Sequence, residues 1–146
     1  MQSHRLLFFG SLFGCWIGSA SPGIADGAIA IGVPSSVAKQ GVAQGYSIRA
    51  KTPVDARRVA MGYCGEEKKS SKTAAGLCKV ITVFQDLCVA FALDPKPGTP
   101  GYGWGLGPDK PAAEKAAVAM CLDNAGADRQ QYCVATASDC DGTANK

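Results

Sequence analysis

Ala113-Glu114-Lys115-Ala116-Ala117-Val118-Ala119-Met120-Cys121 decides how this chain is built, because Ala56-Arg57-Arg58-Val59-Ala60-Met61-Gly62-Tyr63-Cys64 repeats its pattern. Ala113, Ala116, Ala117 and Met120 recur at i, i+3, i+4 and i+7, as do Ala56, Val59, Ala60 and Tyr63, and a cysteine follows each set. That spacing predicts two helices with a narrow apolar stripe, rich in alanine and able to lie close on a sheet. Each has a proline near its first turn, Pro53 and Pro111, where the missing N–H costs nothing. Thr52 is a good N-cap for the first helix, and Asp109 or Lys110 must serve the second.

The likeness extends outward from the helices. Ala28-Ile29-Ala30-Ile31 matches Ala90-Phe91-Ala92-Leu93, both alternations of small and large apolar residues that read as strands. Gly45-Tyr46-Ser47 and Gly103-Trp104-Gly105 then occupy the same place ahead of the helices. Behind them, Cys78 opens the strand-forming run Lys79 to Phe84, and Cys133 opens Val134-Ala135-Thr136-Ala137. The unit is strand, strand, helix, strand, used twice. An α+β domain follows, with two pseudo-symmetric repeats (about 27–86 and 87–140), about six strands and two helices, the helices covering one sheet face. The charged segment 65–77 reads as a solvated connection, 94–100 as a stiff hairpin loop, and 141–146 as a mobile tail.

The amino terminus reads as an export signal over residues 1–25. Arg5 precedes the apolar run Leu6 to Ile17, which is too short to span a bilayer, and small residues offer cleavage after Ala20 or Ala25. Leu12-Phe13-Gly14-Cys15 resembles a bacterial lipobox, so the alternative product is a lipoprotein anchored through Cys15. Removing 25 of the 146 residues leaves 121 and takes the cysteine count from seven to six. An even count behind an export signal implies disulfides formed in an oxidising compartment.

The duplication selects a pairing. Cys64 ends a helix and Cys78 begins the next strand, and Cys121 and Cys133 stand in the same relation, which leaves Cys88 with Cys140. A zinc site is disfavoured, because there is no C-x-x-C and the single histidine, His4, lies in the leader.

The residues now quoted, from Ala28 to Cys140 and including the Gly101-Tyr102-Gly103-Trp104-Gly105 run, resemble the bacterial domain of unknown function 4189 family. The resemblance implies a small exported protein or module and carries no catalytic residue with it.

The chemistry the chain can offer is narrow. Without His4 there is no histidine for Ser-His, Cys-His or His-metal chemistry. Paired cysteines leave no thiolate. A hydrolase would need a pair such as Ser47 with Lys51, or Asp55 with Asp86. Gly103-Trp104-Gly105-Leu106-Gly107 departs from a dinucleotide fingerprint, which needs its third glycine where Pro108 stands. Loss of Arg5 leaves 14 of the 15 basic residues against 12 acidic ones, a near-neutral balance without a nucleic-acid footprint. No catalytic residue, metal or cofactor is expected. The candidate recognition patch is Tyr46, Tyr102 and Trp104, rigid aromatics on equivalent strands. The expected function is an exported, non-enzymatic interaction module, periplasmic or secreted, with a protein partner in the envelope or outside the cell. The alternatives are a secreted inhibitor or immunity-type protein, and a small histidine-free hydrolase. Contact with a membrane is expected only if Cys15 is lipidated.

Overall fold

A computed structural model describes residues 27–145. The leader, its cleavage sites and Cys15 lie outside the described residues, as does Lys146.

The first repeat contains β1 (Gly27–Gly32), the short α1 (Val37–Gln40), β2 (Ala43–Ser47), α2 (Pro53–Gly65), the short α3 (Lys72–Gly76) and β3 (Lys79–Phe84). The second contains β4 (Cys88–Leu93), β5 (Tyr102–Gly107), α4 (Lys110–Asn124) and β6 (Val134–Cys140). Both long helices start as their sequences dictate. The Thr52 side chain accepts a hydrogen bond from the Asp55 N–H, and Asp109, not Lys110, accepts from the Ala112 N–H.

The strands form two antiparallel sheets of three, ordered β2-β1-β3 and β5-β4-β6. Each repeat therefore builds its own sheet, with its first strand at the centre. The registers superpose. Ile29 faces Tyr46 where Phe91 faces Trp104, and Ala30 faces Gly45 where Ala92 faces Gly103. Even the irregularities agree: β1 shifts register against β3 between Ile29 and Ala30, and β4 against β6 between Phe91 and Ala92. A bulge re-aims a strand, and its recurrence at matching positions marks the halves as versions of one unit.

Alternation along the central strands then dictates the layers. Ala28 and Ala30 point towards α2 and pack with Ala56, Ala60 and Cys64. Ala90 and Ala92 pack in the same way with Ala113, Ala117 and Cys121 of α4. The larger residues on the opposite faces, Ile29, Ile31, Phe84, Val89 and Phe91, meet in a third cluster between the sheets. The order of layers is helix, sheet, sheet, helix, so the two helices lie on outer faces of different sheets and do not share one sheet face. The reason is that each central strand is flanked on both sides by its own repeat, leaving only the large-residue faces to pair.

The helical stripe is also narrower than its apolar residues imply. Ala56, Ala60 and Cys64, and Ala113, Ala117 and Cys121, are the buried rows, at i, i+4 and i+8. Tyr63 is 62% exposed, and Ala116 is also exposed. Each helix settles with one row over a glycine of the second strand: a Cβ on Gly45 would lie 2.3 Å from the Cys64 nitrogen, and one on Gly103 2.1 Å from the Ala117 oxygen. Val59, Tyr63 and Met120 fall to one side of that row.

The segment 65–77 is more ordered than a solvated connection. Ser71 caps α3 by accepting from the Ala74 N–H, and Ala74 is buried against the first-repeat core. With α1 and α3 the described helices number four, beside a 3₁₀ turn at Gly142–Asn145. Asp141, grouped by sequence with the tail, is fully buried. Its Oδ1 accepts from the Arg49 N–H at 2.7 Å and ties the second repeat to the first. In the β4–β5 loop, buried Asp94 accepts from Arg129 Nε at 2.7 Å and Nη2 at 2.6 Å, and the guanidinium lies 4.0 Å from the Tyr132 ring.

Sulfur–sulfur bonds join Cys64 to Cys78, Cys88 to Cys140 and Cys121 to Cys133. The first and third fasten a helix to the strand it feeds. Cys88 and Cys140 are directly paired residues of neighbouring strands. Every bridge lies within one repeat.

Candidate functional site

Packing two three-stranded sheets face to face leaves two places where their edges meet, and a cleft lies at each. Cleft one opens between β2 of the first repeat and β6 of the second, with α2 as one wall; cleft two opens between β5 of the second and β3 of the first, beside α4. Exchanging the repeats exchanges the clefts. Tyr46 in cleft one corresponds to Trp104 in cleft two, and Tyr63 to Met120.

Their chemistry has diverged. Cleft one has a volume of about 730 Å³ and a floor of Tyr46 and Phe91, whose ring centroids are 5.7 Å apart at 40°. Tyr63 stands over it from α2, and Asp139 enters from β6. Asp139 faces Val89 across the β4–β6 ladder, so it shares the sheet face that forms the inter-sheet core. In the first repeat that place, opposite Gly27, belongs to Phe84, which is buried in the same core. A carboxylate thus stands where the duplicate has a phenyl ring. Burial raises the Tyr46 hydroxyl pKa above its ordinary value, with the Asp139 carboxylate and then Tyr63 adding to the effect. Glu66, Glu67, Lys68 and Lys69 form the rim.

Cleft two has nearly the same volume, about 740 Å³. Val33, Leu77 and Ile81 remain exposed along its β3 side. Trp104 is half-buried, and its backbone N–H lies 3.5 Å from the Met120 sulfur. The backbone carbonyl of neighbouring Tyr102 accepts from Asn124 Nδ2 at 2.9 Å.

A family model described as "Domain of unknown function (DUF4189)" matches residues 27–140. The chain belongs to the DUF4189 family. No curated protein and no solved structure matches it.

The three aromatic candidates in this DUF4189 domain do not converge on one surface. Tyr102 and Trp104 share cleft two, whereas Tyr46 lies in cleft one. Second strands are edge strands, and the repeat relation puts β2 and β5 at opposite edges of the sandwich. The residues that sequence reading missed are Asp139, Phe91 and Tyr63. Aligning Val80 to Phe84 with Ala135 to Asp139 signals the first, since a charge replaces the last apolar residue of the strand.

One member of each candidate catalytic pair, Ser47 and Asp55, makes structural bonds. Ser47 Oγ donates to the Ala56 carbonyl at 2.9 Å and is buried under α2. Asp55 belongs to the helix start, where hydrogen bonds first from Thr52 and then from Arg58 hold its carboxyl below the usual range. Among the described residues no group of His, Cys, Asp or Glu is arranged to hold a metal ion, and all six cysteines are in disulfides. No helix among the described residues is long and apolar enough to cross a membrane. Three disulfides are typical of chains that mature under oxidising conditions.

Proposed function

We propose that this DUF4189 domain is an exported, non-enzymatic binding module, and that cleft one is its recognition site. The observation that carries the reading is the substitution of Asp139 for the phenyl ring of Phe84. A carboxylate on an apolar sheet face is costly unless it has work to do there, and it gives cleft one a charge at a position where the duplicate has a buried phenyl ring. Rigid rings and one charge, held on strands, suit binding with little ordering cost. Export is supported by the leader sequence and by the six paired cysteines.

The test is chemical-shift mapping of the secreted protein against a small library containing cations, anions, sugars and neutral aromatics. The reading expects perturbations clustered at Tyr46, Tyr63, Ala137 and Asp139 that vanish in Tyr46→Ala. Turnover of a compound with release of product, or a library that leaves these residues unmoved, rules it out.

A further inference from the structure

Cleft one has the components of a site for an organic cation. Tyr46, Phe91, Tyr63 and Asp139 line one space, and the Tyr46 and Phe91 rings lie 5.7 Å apart between centroids. The electron-rich face of an aromatic ring attracts a cation, most strongly where water is partly excluded. Asp139 makes no ion pair: the two salt bridges among the described residues are Arg58–Asp55 and Arg129–Asp94. Its Oδ1 accepts only from the backbone N–H of Cys140, at 2.9 Å, which leaves the negative charge uncompensated beside the rings.

We propose that cleft one binds a ligand carrying an ammonium group on a short apolar stem, with the rings enclosing the ammonium and Asp139 neutralising it. The volume of about 730 Å³ suits a small organic molecule rather than a bare ion. Lys68 and Lys69 do not contradict this, because both are exposed on the rim, where Glu66 and Glu67 offset them. Cleft two is built differently: its carboxylate, Asp123, stands on α4 and is accompanied in the lining by Lys79. Its lining has no residue corresponding to Asp139, and Phe84 is buried in the inter-sheet core at that position. The proposal rests on the binding-module reading and narrows it to one ligand class.

The experiment titrates the whole secreted protein with choline and with its neutral isostere 3,3-dimethylbutan-1-ol, followed by shifts at Tyr46, Tyr63 and Asp139. Choline should bind and the isostere should bind about tenfold more weakly. Asp139→Asn, nearly the same shape, should shrink that preference with an unchanged melting temperature. Tyr46→Leu should weaken choline and shrink the preference as well. Sedimentation with phosphatidylcholine vesicles distinguishes a lipid headgroup from a free cation; binding in either arm supports the proposal and names the source. Equal affinity for choline and the isostere, or a preference undiminished in Asp139→Asn, overturns the cation assignment. If a neutral or anionic probe occupies the cleft instead, only the ligand class is lost. If no probe of any charge enters it, the binding-module reading goes as well.

Discussion

Gly45 and Gly103 are the same residue of a duplicated unit. Gly45 pairs with Ala30 and lies under Ala60 and Cys64, and Gly103 pairs with Ala92 under Ala117 and Cys121. At both places a Cβ would meet helix backbone at 2.5 Å or less, and a backbone atom cannot rotate away as a side chain can. Bare positions let the helices sit this low, and under α4 Gly105 and Gly107 add to Gly103. Low seating in turn brings the cysteines that follow each alanine row within reach of the strand behind.

Gly103→Ala is therefore expected to lift α4 and to destabilise the domain by about 1–3 kcal/mol, the usual penalty of overpacking. Gly45→Ala should behave alike. Urea unfolding of the two variants beside Gly76→Ala, where nothing lies within 4 Å of an added Cβ, supplies the measurement and its control.

Loss of the long bridge should cost more than loss of a short one. In the chain-entropy account, Cys88–Cys140, separated by 52 positions, contributes about 4 kcal/mol, and Cys121–Cys133, separated by 12, about 3 kcal/mol. Paired Cys→Ala variants compared by denaturant midpoint give the order. A larger loss from the Cys121–Cys133 pair would mean that native packing, not loop length, governs these bridges.

How far these relationships were legible beforehand depends on the kind of signal. Ala28 to Ile31 and Ala90 to Leu93 showed small and large residues alternating, and that pattern alone marks a strand with one face crowded by a helix. It does not say what meets the other face. Two sheets instead of one follow from each repeat closing on its own central strand, a matter of long-range pairing that local pattern does not encode. Tyr63 misled because its spacing matched the helical stripe, whereas the glycine beneath narrows that stripe to every fourth residue. The clefts were not legible at all. They arise where edge strands of different repeats meet, and Asp139 reads in isolation as one more polar residue near the end of a strand.

Asp94 makes acid stability testable. Its two hydrogen bonds from Arg129 are the main cause that lowers its pKa from 3.8 to about 2. The folded-state value is the lower one, so this contribution is complete above the unfolded pKa. It is lost as pH falls from about 4 through about 2. Arg129→Met should flatten the acid limb of melting temperature against pH in that window and leave its shape above pH 5 unaltered. The difference between wild type and variant isolates this pair from the other carboxylates.

Asp141 links the two repeats through the hydrogen bond it accepts from the Arg49 N–H. Asp141→Ala would leave the Arg49 N–H without its acceptor, at a cost of about 1–3 kcal/mol. Asn keeps an oxygen in the same place, and its amide can serve the position of Oδ2, which has no hydrogen-bond partner. Asp141→Asn should accordingly lose less than Asp141→Ala. Hydrogen exchange at the Arg49 amide reports the effect directly, rising in the alanine variant.

None of the three sulfur bridges crosses from one repeat to the other, and the chain passes between them only at Gln85, Asp86 and Leu87. A protease cut there would leave two internally cross-linked fragments held by the Ile29–Phe91 layer and the Asp141 bond. Such fragments can complement one another after separation. Two intact molecules can likewise trade halves into an interlocked dimer without opening a single disulfide.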